Sequence, residues 1–149
     1  MTDAPTIHAS AVLIGPRAVL IRGPSGSGKS RLAFALIQAG LNGALPFTRL
    51  VGDDRVQVEA AHGRVLVRPA ASLAGLIEVR GLGIRRVPYE PVAAVGLVMD
   101  LEAAGAERLP DPATDAVLAG ISLPRLSAAP GADPVGILIA ALRTSESGR

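Results

Sequence analysis

Gly23-Pro24-Ser25-Gly26-Ser27-Gly28-Lys29-Ser30 fits the pattern G-x-x-x-x-G-K-[ST], in which a glycine-rich turn presents backbone N–H groups to phosphate oxygens. Lys29 is the single lysine of the chain, and every other basic side chain apart from the histidines is arginine. A compact ammonium on a flexible stem suits a reach between β- and γ-phosphates; a planar guanidinium does not. The flanking sequence supplies the setting. Ala18-Val19-Leu20-Ile21 reads as a buried strand running straight into the loop. Lys29 to Ala39 reads as a helix, with Leu32, Leu36 and Ala39 at spacings of four and three, Phe34 and Ile37 beside them, and Gly40 as the C′ residue. Strand, glycine loop and helix N-terminus together form a P-loop, so the functional argument begins with a nucleoside triphosphate.

Outward from the loop, Ile7 to Leu13 reads as a strand and Gly15-Pro16-Arg17 as the turn joining it to the next. Leu50-Val51-Gly52-Asp53-Asp54 reads as a short strand ending in two acids. Arg55 to Glu59 and Arg64 to Arg68 alternate apolar and polar residues around Ala60-Ala61-His62-Gly63, which predicts a hairpin closed by Pro69. Leu73 to Val79 is mixed, and Arg80-Gly81-Leu82-Gly83-Ile84 reads as a turn or a place of close backbone approach. Val92 to Leu101 is a buried strand, Pro110-Asp111-Pro112 a turn and Ile121-Ser122-Leu123-Pro124 an edge strand. Asp133 caps a last helix that starts at Pro134 and runs to about Leu142, before a polar tail from Thr144. No repeat or long linker divides the chain, which reads as one α/β domain over residues 1–149.

Composition narrows the function. Of the 149 residues 49% are hydrophobic but only 2% aromatic, so the core is built from Ala, Val, Leu and Ile. Too few aromatics remain for a base-stacking platform, and the arginines are scattered, so no nucleic-acid partner is expected. There is no cysteine, hence no disulfide frame or zinc–thiolate site, and two histidines are too few for a histidine cage. Met1-Thr2-Asp3-Ala4-Pro5 lacks the features of a signal peptide, and no apolar run reaches about 18 residues. A soluble, cytoplasmic protein with no membrane partner is the expectation.

The candidate chemistry is concentrated in few residues. Lys29 is placed to bind phosphates and Ser30 to hold Mg²⁺. A P-loop enzyme also needs an acid at the end of a neighbouring strand. Asp53 and Asp54 are adjacent, so their side chains point to opposite faces and serve different partners. Val95-Gly96-Leu97-Val98-Met99-Asp100 has the same shape, an apolar strand ending in an acid, and leaves Asp54 and Asp100 as competing choices. Glu78, embedded in an apolar stretch, is either a metal ligand or an exposed edge-strand acid. Arg80, Arg85 and Arg86 suit an acidic or phosphorylated partner, against the plainer reading of scattered surface charge. His8 stands alone in an apolar strand, where a satisfied core histidine is the usual finding.

Five pieces in order resemble the catalytic domain of HPr kinase/phosphorylase. They are His8, the loop Gly23 to Ser30, Leu50-Val51-Gly52-Asp53-Asp54-Arg55-Val56, Leu76-Ile77-Glu78-Val79-Arg80-Gly81-Leu82-Gly83-Ile84, and Ile121-Ser122-Leu123-Pro124. The resemblance implies a mixed sheet with a P-loop helix and a C-terminal helix, a core of the HPr kinase and phosphoenolpyruvate carboxykinase type. It implies an ATP- and Mg²⁺-dependent serine kinase acting on an HPr-like phosphocarrier of the phosphotransferase system, with phosphorolysis as the reverse reaction. By position, Gly23, Pro24, Ser25, Gly26, Ser27, Gly28, Lys29 and Ser30 would bind ATP, with Ser30 and Glu78 on the metal. Asp53 would be the base for the serine hydroxyl, with Asp54, His8 and Arg80 supporting it, in preference to Asp100. The resemblance also implies a homo-hexamer. The family's N-terminal regulatory domain is not found in this sequence, as in the short alphaproteobacterial members. Where the family carries an arginine in a Pro-Gly-Arg-like turn this chain has Pro130-Gly131-Ala132-Asp133, a departure that bears on the phosphorolysis direction. A small-molecule P-loop kinase and a non-catalytic ATP-binding regulator are the alternatives; the first ordinarily needs an arginine-bearing lid, which the sequence does not display.

Overall fold

Period-two alternation sorts the first hairpin onto two faces, and both faces are buried. In the computed structural model, which describes residues 5–102 and 115–144, β1 (Thr6–Ile14) and β2 (Arg17–Arg22) pair antiparallel from Ala9↔Arg22 to Ile14↔Arg17. Ala9, Ala11, Ala18 and Leu20 face one apolar cluster, with Val56, Val65, Val67, Val95 and Val98. Val12, Ile14, Val19 and Ile21 face a second, against Leu32 and Leu36 of helix α1 (Lys29–Leu41) and Leu138 of helix α2 (Pro134–Arg143). A strand covered on both sides reads as a near-continuous apolar run, as these two do.

The remaining strands are β3 (Thr48–Gly52), β4 (Arg55–Ala61), β5 (Arg64–Pro69), β6 (Leu76–Val79), β7 (Gly83–Arg86), β8 (Ala93–Leu101), β9 (Ala116–Leu118), β10 (Ile121–Leu123) and β11 (Arg125–Ala128). The main sheet runs β11-β8-β2-β1-β4-β5, with β3 also on β1. β8 lies parallel to both β2 and β11. β5 also meets β8 at Leu66↔Ala94 and Val67↔Ala93, so β1, β2, β8, β5 and β4 close into a ring around the first cluster. Gly96 is the extra residue where the β2–β8 register shifts, and it lets Val95 and Val98 face the same cluster. A Cβ there would lie 2.9 Å from the Cβ of Arg17.

The predicted hairpin closes through His62 and Gly63, both left-handed, with Ala61 paired to Arg64. Asp133 caps α2 by accepting from the Gly136 N–H at 3.1 Å. The end of α1 differs from expectation. Gly40 is inside the helix, where a Cβ would come 2.5 Å from that of Thr48; it is a close-approach glycine rather than C′. Gly43, with φ 82, takes the C′ role, and the Gly43 N–H bonds Gly40 O while the Ala44 N–H bonds Ala39 O, a Schellman end. Four strands were not read from the sequence. β6 and β7 pair with each other as a separate hairpin, β9 pairs with β10, and β11 joins the main sheet. The Pro110-Asp111-Pro112 turn and the tail beyond Thr144 lie outside the described residues. Among the described residues no helix is long and apolar enough to cross a membrane.

Candidate active site

β2 delivers the chain to Gly23, and α1 begins at Lys29. Between them Gly26 and Gly28 hold φ of 82 and 100, a region that side chains rarely enter. A Cβ at either would meet nothing within 4 Å, so these two glycines face open space. The loop is held from within. The Ser27 N–H donates to Pro24 O at 3.0 Å, and a Cβ on Gly23 would stand 2.6 Å from the Ser27 Oγ. That Oγ is buried with no hydrogen-bond partner among the described residues. The Lys29 ammonium donates to Gly23 O at 2.8 Å and Pro24 O at 3.1 Å. Burial pushes the Lys29 pKa down, against the opposing pull of Asp54, Asp53 and Glu102.

The two acids sit where one strand hands over to another on the same edge of β1. β3 pairs there as far as Ala11↔Gly52, and β4 takes over at His8↔Arg55. The changeover is Asp53-Asp54, with Asp54 at φ 71 and the Ala9 N–H bonded to Asp54 O. The side chains separate as adjacent residues should. Asp53 is 4% exposed. It accepts from the Ser10 Oγ at 2.6 Å, from the Ser30 Oγ at 2.7 Å and from the Glu78 N–H at 3.2 Å. The Asp54 side chain is 60% exposed, with one carboxylate oxygen 3.0 Å from the His8 Nε2.

Ser30, His8 and Asp54 line a cleft of about 940 Å³, whose far wall is the β6–β7 hairpin. Ser25, Gly26, Ser27, Gly28 and Lys29 form its floor, and Glu78, Arg80 and the turn Gly81-Leu82-Gly83 its opposite side. The structure therefore brings together His8, the loop from Ser25 to Ser30, Asp54, Glu78 and Arg80. Asp53 stands directly behind Ser30, and Gly23 and Pro24 meet the site through the carbonyls that Lys29 touches. Glu78 reaches Asp53 by its amide, while its carboxylate is exposed on the cleft wall. No three His, Asp or Glu side chains converge as a metal cage among the described residues. Mg²⁺ is ordinarily held by one or two protein oxygens plus phosphates and water, so the Ser30 hydroxyl against the Asp53 carboxylate is a suitable donor set.

Asp100 belongs to a different assembly. Arg22, one residue before the loop, donates Nε and Nη2 to its two oxygens at 2.7 and 2.9 Å, and Arg125 donates from β11. Burial pushes the Asp100 carboxyl up, but the hydrogen bonds and charges of the two arginines outweigh it and hold it below the usual carboxylate range. Sequence reasoning missed this cluster, and it also missed Ser10 and Glu102. Ser10 left a signal, a lone hydroxyl two residues from His8 in an apolar strand. Glu102 lines the cleft with φ 57, a backbone feature no composition pattern announces.

A family model for the HPr Serine kinase C-terminal domain matches residues 1–89, the part that holds the loop, both acids and the β6–β7 hairpin. Among curated relatives, the HPr kinase/phosphorylase of Limosilactobacillus reuteri is 33% identical over 134 residues, covering 82% of this chain and 40% of the relative. That of Clostridium tetani is 34% identical over 99 residues, 66% of this chain and 30% of the relative. The chain thus spans well under half the length of the curated relatives it matches. The solved Hpr(Ser) kinase/phosphatase from Coxiella burnetii superposes with a TM-score of 0.73 at 25% identity, covering 93% of this chain and 88% of that one.

Proposed function

This chain belongs to the HPr serine kinase C-terminal domain family, and we propose that it is an ATP-dependent serine kinase acting on an HPr-like phosphocarrier protein. The observation that carries the reading is one cleft holding two acid pairs of different kind. Ser30–Asp53 lies part-buried at the start of the helix beside Lys29, and Asp54–His8 lies open to the cleft. The glycine-rich loop acts as a P-loop. Its N–H groups and the Lys29 ammonium bind the triphosphate of ATP, and Lys29 leaves its two loop carbonyls for the β- and γ-phosphates. Ser30 and Asp53, with Glu78 from the opposite wall, hold Mg²⁺. The bound metal supplies charge neutralisation across the transferring phosphoryl group.

Burial argues for exchanging the roles expected of the two acids. Asp53 is enclosed by three donors and cannot reach an incoming protein serine, whereas Asp54 is open to the cleft. Asp54 is therefore the proposed base: it accepts the serine hydroxyl proton as the oxygen attacks the γ-phosphorus, and His8 fixes its orientation. Arg80 lends positive charge from the hairpin side. Phosphorolysis by inorganic phosphate would run through the same groups in reverse, without an arginine in the turn at Ala132. A cytoplasmic homo-oligomer, a hexamer by family resemblance, is part of the same proposal.

Transfer of labelled γ-phosphate from Mg·ATP to purified HPr tests this directly. The expected product is an HPr serine phosphate that Lys29→Ala and Asp54→Asn both suppress. Bound ATP with no transfer to HPr in the wild-type chain would sink the assignment of acceptor.

A further inference from the structure

Among the described residues three polar or charged side chains are buried: Lys29, Asp53 and Ser10. The first two belong to the phosphate and metal site proposed above. Ser10 is 0% exposed and stands in an apolar strand, between Ala9 and Ala11. Burying a hydroxyl costs free energy unless it is bonded, and apolar packing gains nothing from its oxygen. Resting on the metal reading above, we infer that Ser10 is a positioning residue, whose hydroxyl holds the Asp53 carboxylate in the orientation that Ser30 and Mg²⁺ use.

Strand pairing puts it there. One edge of β1 is covered by β3 as far as Ala11↔Gly52 and by β4 from His8↔Arg55, which leaves Ala9 and Ser10 opposite the Asp53-Asp54 changeover. The Ala9 N–H closes part of this gap by bonding Asp54 O at 3.1 Å, and the Ser10 side chain spans the rest. By the period of two, Ser10 shares a face with Val12 and Ile14, against which α1 packs through Leu32 and Leu36. The same helix begins with Lys29 and Ser30. Ser30 lines the cleft and Ser10 does not, so Ser10 grips Asp53 from the buried side.

The bonds divide between the two carboxylate oxygens. The Ser10 Oγ donates to Oδ1 at 2.6 Å, and the Glu78 N–H donates to Oδ2 at 3.2 Å. The Ser30 Oγ lies 2.8 Å from Oδ1 and 2.7 Å from Oδ2, bridging the pair. One donor on each oxygen fixes the plane of the carboxylate independently of Ser30, which is then free to offer its own oxygen to a cation. The direction of the Ser10 proton is set as well. The Asp54 N–H donates to the Ser10 Oγ at 3.4 Å, so this oxygen accepts on one side and donates on the other. Partners that touch a metal-site residue rather than the metal ordinarily account for about 10–100-fold in metal affinity or activity.

The test is calorimetric binding of ATP over graded Mg²⁺, with no acceptor protein present. Ser10→Ala is expected to raise the Mg²⁺ concentration for half-maximal binding about tenfold, and to leave ATP affinity at saturating Mg²⁺ within about threefold of wild type. Ser10→Thr keeps the hydroxyl and should hold the requirement within about threefold of wild type, while Ser10→Cys, similar in size but a weaker donor, should fall between Ser10→Ala and wild type. Ser10→Ala combined with Asp53→Asn should be no more than about twofold worse than Asp53→Asn alone, because both remove the same contact. A folded Ser10→Ala variant with the wild-type Mg²⁺ requirement, even one of lowered thermal stability, would overturn the assignment, as would two effects that multiply in the double variant. Should Ser10→Thr fail to fold, Ser10→Cys decides: a requirement no better than that of Ser10→Ala overturns the assignment. ATP binding by the wild-type chain that is indifferent to Mg²⁺ would overturn the metal reading and this assignment together, whereas failure of HPr as acceptor would touch neither.

Discussion

Two strand ends in this molecule read alike and are used in opposite ways. β3 and β8 are both apolar runs that finish near an aspartate, Asp53-Asp54 after one and Asp100 as the last residue but one of the other. At the end of β3 the donors around Asp53 are neutral, two hydroxyls and an amide, which leaves it without a hydrogen-bonded cation, with Lys29 and the open loop nearby. At the end of β8 two guanidiniums enclose the carboxylate and neutralise it. The difference lies in the partners rather than in the strands. A carboxylate matched by arginines holds chain segments together. One matched only by neutral donors still has charge to offer a cation or a proton.

The largest effects should separate these two ends cleanly. Asp54→Asn is expected to reduce transfer to HPr by about 10²–10⁴-fold, the usual contribution of a positioned base, with thermal stability nearly unchanged because the side chain is largely exposed. Asp53→Asn should instead weaken Mg²⁺ binding, visible as a raised metal requirement for ATP binding. If Asp53→Asn proves the purely chemical defect, with metal requirement unaltered, and Asp54→Asn is tolerated, the exchange of roles argued above is wrong. Asp100→Asn should do the reverse of both. It removes the negative charge between the guanidiniums of Arg22 and Arg125, which costs roughly 2–3 kcal/mol for a part-buried cluster and lowers the midpoint of thermal unfolding by several degrees. Transfer per folded molecule should stay within a fewfold of wild type. A catalytic collapse in Asp100→Asn without loss of stability would erase the distinction between the two strand ends.

Acid titration sharpens the same contrast. The Asp100 carboxyl is held below its unfolded value by its arginines, against the upward push of burial. Its stabilisation is therefore complete above the unfolded pKa of about 3.9 and is lost as pH falls through the folded value. Equilibrium unfolding followed from neutral pH into the acid range should show a steep loss in the wild-type chain and a shallower one in Asp100→Asn. Parallel acid limbs in the two proteins would mean that the cluster is not coupled to folding.

How much of this was legible beforehand follows from what each feature leaves in a sequence. The glycine loop, its strand and its helix were readable because spacing and residue type are both constrained there. The β4–β5 hairpin and the Asp133 cap were readable for the same reason. β7 was not, since Gly83–Arg86 is exposed throughout and has no apolar alternation to reveal it. β11 was hidden by its position directly after Pro124, separated by no spacer from β10. The end of α1 was misplaced because two glycines compete near it, and only the approach of Thr48 to Gly40 tells close packing from a left-handed cap. Within the candidate site, the opposite facing of Asp53 and Asp54 follows from strand geometry. Which of them faces solvent does not, because that depends on β3 and β4 sharing one edge of β1.

The smallest expected effect tests whether the β11–α2 segment is held by its own local structure. Asp133 accepts from the Gly136 N–H, with Pro134 in the first turn, an arrangement that satisfies an amide the helix leaves open. Asp133→Ala should cost about 1 kcal/mol of stability, and Asp133→Ser should recover most of it, since a hydroxyl can accept the same bond. Neither strand end should respond, because Leu138 and the α2 face packed on the second cluster stay in place. If the Ala variant instead lost several times that amount, the cap would be acting through the fold rather than through one amide. The contrast between an arginine-paired acid and one held by neutral donors would then extend to a third aspartate.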